Sequence, residues 1–220
     1  WVDSVLSEMT LEEKIAQSLF IASWSNRDIG HYTDIDSLIR NYGIGGLVMF
    51  QGSPEKHAEL VSHYKDISEV PLSVALDGEW GVGMRLDHMQ DFPYQMTLGA
   101  IKNDSLIYEM GERIATEMKL LGIDINLAPV ADINNNPENP VINFRSFGEN
   151  KEKVARKVMM YTKGLQDNGV LATAKHFPGH GDTDTDSHYD LPVLKHSRER
   201  FDSLELYPFK EAINKGIGAV

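Results

Sequence analysis

The sequence predicts an α/β fold, because short apolar runs alternate with amphipathic helical segments along all 220 residues. Several of these runs are apolar at nearly every position. This pattern is typical of parallel strands that are covered on both faces. The candidate strands are 19–22, 44–50, 72–76, 123–130, 170–174 and 217–220.

The helices between these strands have recognisable ends. Thr10 and Glu13 form a capping box at the start of the first helix. Ser53 followed by Pro54 is typical of an N-cap and a first helical residue. The further predicted helices are 55–67, 104–121, 151–168 and 203–215, the last broken near Pro208 and the last three followed by Gly122, Gly169 and Gly216.

Repeated strand–helix units form either an open doubly wound sheet or a closed (β/α)8 TIM barrel. No Gly-x-Gly-x-x-Gly turn follows the first strand, which disfavours a dinucleotide-binding sheet. Polar residues follow the third, fourth and fifth strands alike, as around a barrel mouth. We therefore expect a barrel, with residues 1–220 forming one domain of about the first five to six strand–helix units. The rest of the barrel is expected beyond residue 220, and the isolated fragment is expected to aggregate or to associate through its open edge.

Composition excludes several classes of protein. A formal net charge of −12 argues against nucleic acid as a partner, because phosphates would be repelled. The absence of cysteine excludes disulfides, thiol catalysis and Cys-ligated zinc. No apolar run approaches the roughly 20 residues that a membrane-spanning helix needs, so no membrane span is expected.

Charged and polar residues follow three predicted strands, at the edge where α/β enzymes build their active sites. Six of these residues are candidates for binding a ligand: Asp77, Arg85, Asp132, Arg145, Lys175 and His176. Carboxylates and guanidinium groups around one rim suit a ligand rich in hydroxyl groups. Single residues also have structural interpretations: Asp132 capping a turn, Arg145 pairing with Glu149, and Lys175 bracing the barrel mouth.

Residues 175–188 form the most polar stretch of the chain, directly after the fifth strand. Asp186 precedes His188 by two residues, so its carboxylate can bond the imidazole and fix its tautomer. A His with a carboxylate partner is suited to proton transfer near neutral pH. The alternative is a solvated loop histidine. The histidines at 31, 57, 63, 88 and 196 are interpreted as structural or surface residues.

Two other chemistries are less well supported by the same stretch. It contains donors for a metal ion: His176, His180, Asp182, Asp184 and Asp186. Their spacing matches neither a helical His-Glu-x-x-His motif nor a calcium loop, so no metal or other cofactor is expected. A Ser-His-Asp hydrolase is disfavoured because the sequence has no Gly-x-Ser-x-Gly elbow.

Taken together, these motifs resemble glycoside hydrolase family 3, specifically its β-N-acetylhexosaminidase (NagZ-like) branch. The resemblance covers nearly the whole chain. Its markers are GGLVMF at 45–50, DGEWG at 77–81 with Arg85, LAPVAD at 127–132, RSFG at 145–148, and 175–188 followed by Leu191 and Pro192. The last block is the longest and the most specific.

The resemblance implies a (β/α)8 barrel that acts on terminal β-linked N-acetylglucosamine. It implies sugar binding by Asp77, Arg85, Arg145, Lys175 and His176. His188 would be the general acid/base, oriented by Asp186, and the mechanism would be double displacement with retention. Water, or alternatively phosphate, would then attack the glycosyl-enzyme. The family's nucleophile is an Asp on a later strand, expected beyond residue 220, so this chain alone should not complete the reaction.

One position departs from the family pattern, which usually reads Asp-x-Glu-Gly-Gly where this chain has Trp80. Specificity beside the sugar is therefore open. The alternatives are another exo-β-glycosidase such as a β-glucosidase, a non-catalytic sugar-binding protein, and, last, a metal-dependent hydrolase. The Asp-Ser-His triplet at 186–188 argues against the first. We expect a bacterial protein with a carbohydrate substrate from peptidoglycan turnover, a further C-terminal domain, and either a cytoplasmic or a periplasmic location.

Overall fold

The computed structural model describes residues 1–186 and 188–220, so the middle residue of the Asp-Ser-His triplet lies outside the described residues. Five strands form one parallel sheet: β1 (Phe20–Ser23), β2 (Gly46–Met49), β3 (Ser73–Leu76), β4 (Ile125–Asn126) and β5 (Leu171–Ala172). They lie in the order β1-β2-β3-β4-β5. Each connection moves one strand in the same direction, as in a barrel, whereas a doubly wound sheet reverses direction.

Nine helices are described along the same residues: α1 (Val2–Glu8), α2 (Leu11–Ala16), α3 (Ile29–Tyr42), α4 (Pro54–Ile67), α5 (Gln95–Ala100), α6 (Ser105–Leu120), α7 (Lys151–Gln166), α8 (Arg198–Ser203) and α9 (Tyr207–Asn214). Two single-turn 3₁₀ helices, Val82–Met84 and Asn143–Arg145, lie in the loops after β3 and β4. No helix among the described residues is long and apolar enough to cross a membrane.

The predicted helix ends are confirmed where capping chemistry was visible. The Thr10 side chain accepts from the Glu13 N–H while the Glu13 carboxylate accepts from the Thr10 N–H. Ser53 caps α4, whose first residue is Pro54. The helix predicted over 203–215 and broken near Pro208 was given too early a start: α8 ends at Ser203, and α9 begins at Tyr207 with Pro208 in its first turn. The missing N–H of proline is tolerated there, but not in a helix interior.

The central strands are buried, as the apolar runs predicted. In β2 and β3 three of four residues are buried. β1 lies at an edge of the described sheet and leaves Phe20 exposed. β4 and β5 are shorter than predicted, at two residues each. The predicted strand at 217–220 reduces to one parallel bridge between Ala219 and Thr173.

The helices α6 and α7 pack closely on one side of the sheet because both carry glycine at their contact. A Cβ on Gly111 would lie 2.8 Å from the Tyr161 carbonyl oxygen, and a Cβ on Gly164 would lie 2.3 Å from the Tyr108 carbonyl oxygen. The fully buried Tyr161 of α7 donates its hydroxyl proton to the carbonyl of Gly78 at 2.8 Å. This contact fixes the loop that leaves β3.

Candidate active site

An open pocket lies at the carboxyl ends of β3, β4 and β5. Its lining residues are Asp77, Glu79, Met84, Arg85, Leu127, Arg145, Thr173, Lys175, His176 and His188. Asp77 directly follows β3, and Lys175 follows β5 and pairs with Val130 through a parallel bridge. The structure therefore brings together side chains that are about 100 residues apart in sequence.

The loop after β3 is held by the neighbouring strand. Asn126 of β4 accepts from the Gly78 N–H at 3.0 Å and donates to the Gly78 carbonyl at 3.2 Å. A Cβ on Gly78 would lie 2.5 Å from the end of the Met118 side chain, which would have to move to accept it. The contacts to Gly78 fix the backbone between the two carboxylates, whose side chains are held by ion pairs.

Two carboxylates and three cations form a continuous network in the pocket. Lys175 Nζ lies 2.7 Å from Asp77 Oδ1 and 2.8 Å from Glu79 Oε1. Arg85 Nη2 lies 2.5 Å from the second oxygen of Asp77. Arg145 donates to both oxygens of Glu79, from Nε at 3.0 Å and from Nη2 at 2.7 Å. Such bidentate pairing fixes the guanidinium plane.

The network keeps both carboxylates ionised. Burial alone would raise the pKa of Asp77, but the charges and hydrogen bonds of Lys175 and Arg85 outweigh it and lower that pKa. The same balance lowers the pKa of Glu79, where burial is opposed by Arg145 and Lys175. Burial would likewise lower the pKa of Arg145, but Glu79 raises it. The pocket therefore presents fixed charges of both signs.

Asp132 orients the His176 ring through hydrogen bonds. The Asp132 carboxylate is fully buried, and its Oδ2 atom lies 2.7 Å from His176 Nδ1 and 3.1 Å from the His176 backbone nitrogen. Its other oxygen accepts from the His180 N–H at 2.6 Å. Because an ionised carboxylate only accepts, Nδ1 carries the proton and Nε2 accepts from Arg145 Nη2 at 3.2 Å.

His188 lines the pocket from the loop side, with its side chain 75% exposed. Asp186 Oδ1 lies 2.7 Å from His188 Nδ1 and accepts from the His188 backbone N–H at 2.9 Å. These two contacts, the backbone one first, lower the pKa of Asp186. With Nδ1 held by the carboxylate, Nε2 is the ring nitrogen left available for proton transfer.

The structure thus places six of the predicted residues around one pocket: Asp77, Arg85, Arg145, Lys175, His176 and His188. Asp186 lies behind His188, and Asp132 lies beneath His176 without reaching the surface. The suggested pairing of Arg145 with Glu149 is replaced by pairing with Glu79. Sequence reasoning did not select Glu79 as a site residue, although it stands two positions after Asp77 in the strand-end motif.

The predicted metal donors do not form one cluster. Among the described residues, the group whose donor atoms lie within 4.8 Å of one another is Asp182, His196 and Glu205. His196, interpreted from sequence as a surface residue, therefore belongs to a charged cluster. His57 has a different environment, since its ring is fully buried with no partner for either nitrogen among the described residues.

Comparison with known proteins identifies the family. The profile of the glycosyl hydrolase family 3 N-terminal domain matches residues 10–220. Beta-hexosaminidase A of Pseudoalteromonas piscicida is 37% identical over 193 residues, which are 82% of this chain and 32% of that relative. The chain therefore belongs to glycoside hydrolase family 3, as its motifs predicted.

Two solved structures extend the comparison. A family 3 β-N-acetylglucosaminidase from Paenibacillus sp. str. FPU-7 is 41% identical with a TM-score of 0.88, over 95% of this chain and 41% of that one. The beta-glucoside phosphorylase BglX bound to 2FGlc is 26% identical with a TM-score of 0.91, over 98% of this chain and 38% of that one. The chain thus spans about a third to two fifths of these proteins' lengths. The predicted TIM-barrel fold class is confirmed, with five barrel strands described here.

Proposed function

We propose that this chain is the substrate-binding and proton-transfer part of a retaining exo-β-N-acetylglucosaminidase. The observation that carries the proposal is the pairing of a pocket of mixed charge with a His–Asp pair at its rim. The names of the relatives support it, since one is described as a beta-hexosaminidase and one as a β-N-acetylglucosaminidase. The substrate would be a terminal β-linked N-acetylglucosamine, with peptidoglycan fragments as one natural source.

The ion-paired network suits a neutral sugar. Hydroxyl groups both donate and accept, so they require acceptors and donors side by side. Asp77 and Glu79 supply acceptors, while Arg85, Arg145 and Lys175 supply donors. Because each group is already held by a neighbour, little conformational entropy is lost when the sugar binds. In this proposal Asp132 positions His176 and does not touch the substrate itself.

His188 transfers the proton in both halves of the reaction. In the first half, protonated His188 donates from Nε2 to the glycosidic oxygen while a carboxylate attacks the anomeric carbon. The C–O bond to the leaving group breaks and a glycosyl-enzyme ester forms. In the second half, neutral His188 removes a proton from water, which displaces the carboxylate with overall retention. Asp186 fixes the imidazole tautomer throughout.

Neither Asp77 nor Glu79 is proposed as the attacking carboxylate. Both oxygens of Asp77 and both oxygens of Glu79 are engaged by cations, and both pKa values are lowered, which weakens them as nucleophiles. The family resemblance instead implies an Asp on a later strand, beyond residue 220.

Phosphorolysis of a β-glycoside is the second candidate. Its support is the structural likeness to a protein described as a beta-glucoside phosphorylase. A neutral histidine base repels an anionic acceptor less than a carboxylate base would, which makes phosphate an acceptable second-half reagent. The two candidates are separated by measuring product formation from N-acetylglucosaminide and glucoside substrates, each with and without inorganic phosphate.

The test of the proposed function is release of 4-nitrophenol from 4-nitrophenyl β-N-acetylglucosaminide by the full-length protein. His188→Ala should lower kcat by roughly 100-fold or more because the base of the second half is lost, whereas kcat/KM should fall less because 4-nitrophenolate leaves with little proton donation. The matched control is His63→Ala, which removes an exposed His that pairs with Asp36 far from the pocket. An inactive wild type that still binds N-acetylglucosamine would instead favour the sugar-binding protein.

A further inference from the structure

A second charged cluster lies at the base of the segment that carries His188. Asp182 Oδ2 lies 2.7 Å from His196 Nε2 and accepts from Arg200 Nη2 at 3.2 Å. The same Arg200 nitrogen donates to Glu205 Oε1 at 3.0 Å. Glu205 is only 3% exposed and also accepts from Asn135, in the loop after β4, at 3.3 Å. Asp182, His196, Arg200 and Glu205 are named the clasp below.

The clasp joins two points that flank the candidate acid/base. Asp182 and His196 enclose residues 183–195, which include Asp186 and His188. Among the described residues of 184–195, the hydrogen bonds join members of that segment only. The amino end of the segment is also held by Thr183, which is buried and bonded to Asn136 and Asn139. Before His196, the described residues at the carboxyl end make no hydrogen bond outside the segment, and only apolar side chains such as Leu194 line a pocket with Phe177 and Phe201.

The cluster has the donor types of a metal site, but part of its negative charge is already offset by a side-chain cation. Asp182 and Glu205 supply two negative charges, and Arg200 lies between them as the resident cation. A divalent ion bound to the same oxygens would have to displace that guanidinium. His196 meanwhile uses Nε2, one of its two candidate ligand atoms, to contact Asp182. The cluster is therefore a set of side-chain contacts that holds two parts of the chain together, and not a metal-binding site.

We propose that the clasp is a positioning unit. It holds the two ends of the 183–195 segment together and so sets the position of Asp186 and His188 relative to the pocket. This inference rests on the proposed function of His188 as acid/base. Its physical basis is that proton transfer requires hydrogen-bond distance, and a displacement of about 1 Å costs roughly 100-fold in rate. If the carboxyl end of the segment were free to move, Asp186 and His188 would still contact each other, but the pair would be displaced from the substrate.

The experiment compares His196→Ala and His196→Gln with the wild type in the full-length protein. Two substrates are used, 4-nitrophenyl and phenyl β-N-acetylglucosaminide. The phenyl substrate has the poorer leaving group and depends more on proton donation. His196→Ala should lower kcat/KM by roughly 10-fold or more on the phenyl substrate and by less on the nitrophenyl substrate. His196→Gln, whose amide N–H can still donate to Asp182, should recover part of the loss.

Matched variants separate positioning from general damage. His63→Ala removes another His–carboxylate pair, at 2.9 Å from Asp36 and remote from the segment, and should keep wild-type kinetics. Asp182→Ala removes the oxygen that accepts from both His196 and Arg200 and should repeat the phenyl-selective loss if His196→Ala fails to fold. Hydrogen exchange of residues 188–195 should be faster in His196→Ala than in His63→Ala, which is a readout independent of activity.

The outcomes distinguish the two proposals. If the wild type is active and the His196→Ala and Asp182→Ala variants lose kcat/KM equally on both substrates, or on neither, the positioning role of the clasp is overturned and the acid/base role of His188 still stands. An inactive wild type contradicts the proposed function, and this inference falls with it. A loss that grows with leaving-group basicity and is reduced by His196→Gln supports the positioning role.

Discussion

Replacing Asp132 by Asn tests how the candidate site is held together. The buried carboxylate accepts three hydrogen bonds, from His176 Nδ1, from the His176 N–H and from the His180 N–H. Asn keeps the shape of the side chain, but one oxygen becomes an NH2 group that can only donate. Wherever that NH2 group points, it faces at least one N–H donor, and no water-exposed alternative exists for a fully buried side chain.

The magnitude follows from the bonds that are lost. A hydrogen bond to a charged acceptor contributes about 1.5–3 kcal/mol, and an unsatisfied buried donor adds a penalty of similar size. Since Asn can still accept at its oxygen, the net loss in unfolding free energy should be about 3 kcal/mol. In a protein of this size that corresponds to a fall in Tm of roughly 6–12 °C.

The substitution should also change the state of His176. With an amide in place of the Asp132 carboxylate, Nδ1 is no longer drawn to a negative charge, so the tautomer with the proton on Nε2 becomes favourable. That proton would face Arg145 Nη2, which lies 3.2 Å away and also donates. Sugar affinity should therefore fall by more than the loss of stability alone explains. Nitrogen chemical shifts of His176 report the tautomer directly, and thermal melts report the stability.

The control is Asp36→Asn, which neutralises an exposed carboxylate paired with His63 and should change stability by less than about 1 kcal/mol. An Asp132→Asn variant with the wild-type Tm and the wild-type His176 tautomer would refute this account of the site.

Three further predictions concern stability. His57, fully buried without a ring partner among the described residues, has its pKa lowered by burial to about 4, so the folded state loses stability as pH falls from 6.5 towards 4. Between pH 7.5 and 5, the unfolding free energy of His57→Leu should fall by about 2 kcal/mol less than that of the wild type in denaturant titrations. An equal fall in both proteins would contradict this. Glu79→Gln leaves Arg145 and Lys175 without their shared carboxylate and should cost roughly 3 kcal/mol; a wild-type urea midpoint would exclude that role. Gly99→Ala would place a Cβ 2.1 Å from the Phe147 carbonyl oxygen and should cost about 2 kcal/mol, whereas Gly30→Ala in the first turn of α3 should be nearly neutral in the same measurement.

The barrel architecture was predictable because its signals are local and repeated. The runs at 44–50 and 72–76 became β2 and β3, and the capping residues Thr10 and Ser53 start helices in the structure as predicted. The helix α3 was missed although Asp28 caps it and Gly43 ends it with φ 63°. Its amphipathic pattern is no weaker than that of α4, which was predicted, so the miss came from not joining these end signals into one segment.

The candidate site was predictable in part for a different reason. Strand ends can be located from sequence, and parallel strands bring their ends to one edge, so Asp77 and Lys175 were expected to meet. Which acid would pair with which base is a tertiary question. Arg145 stands 66 residues from Glu79, and no local spacing distinguishes that pairing from one with Glu149.

The positions of Asp132 and Glu79 together explain how an acidic chain maintains a pocket of mixed charge. Glu79 is buried but shared by Arg145 and Lys175, so its charge is compensated by neighbours that still reach the pocket. Asp132 is also buried, but it uses its charge on backbone and ring N–H groups, which fixes the His176 ring without adding a negative charge to the rim. Two acids that are both buried therefore act differently: one orients cations for a ligand, and the other orients the histidine beside them. The distinction depends on partners and not on burial, and residue type and strand position alone do not reveal those partners.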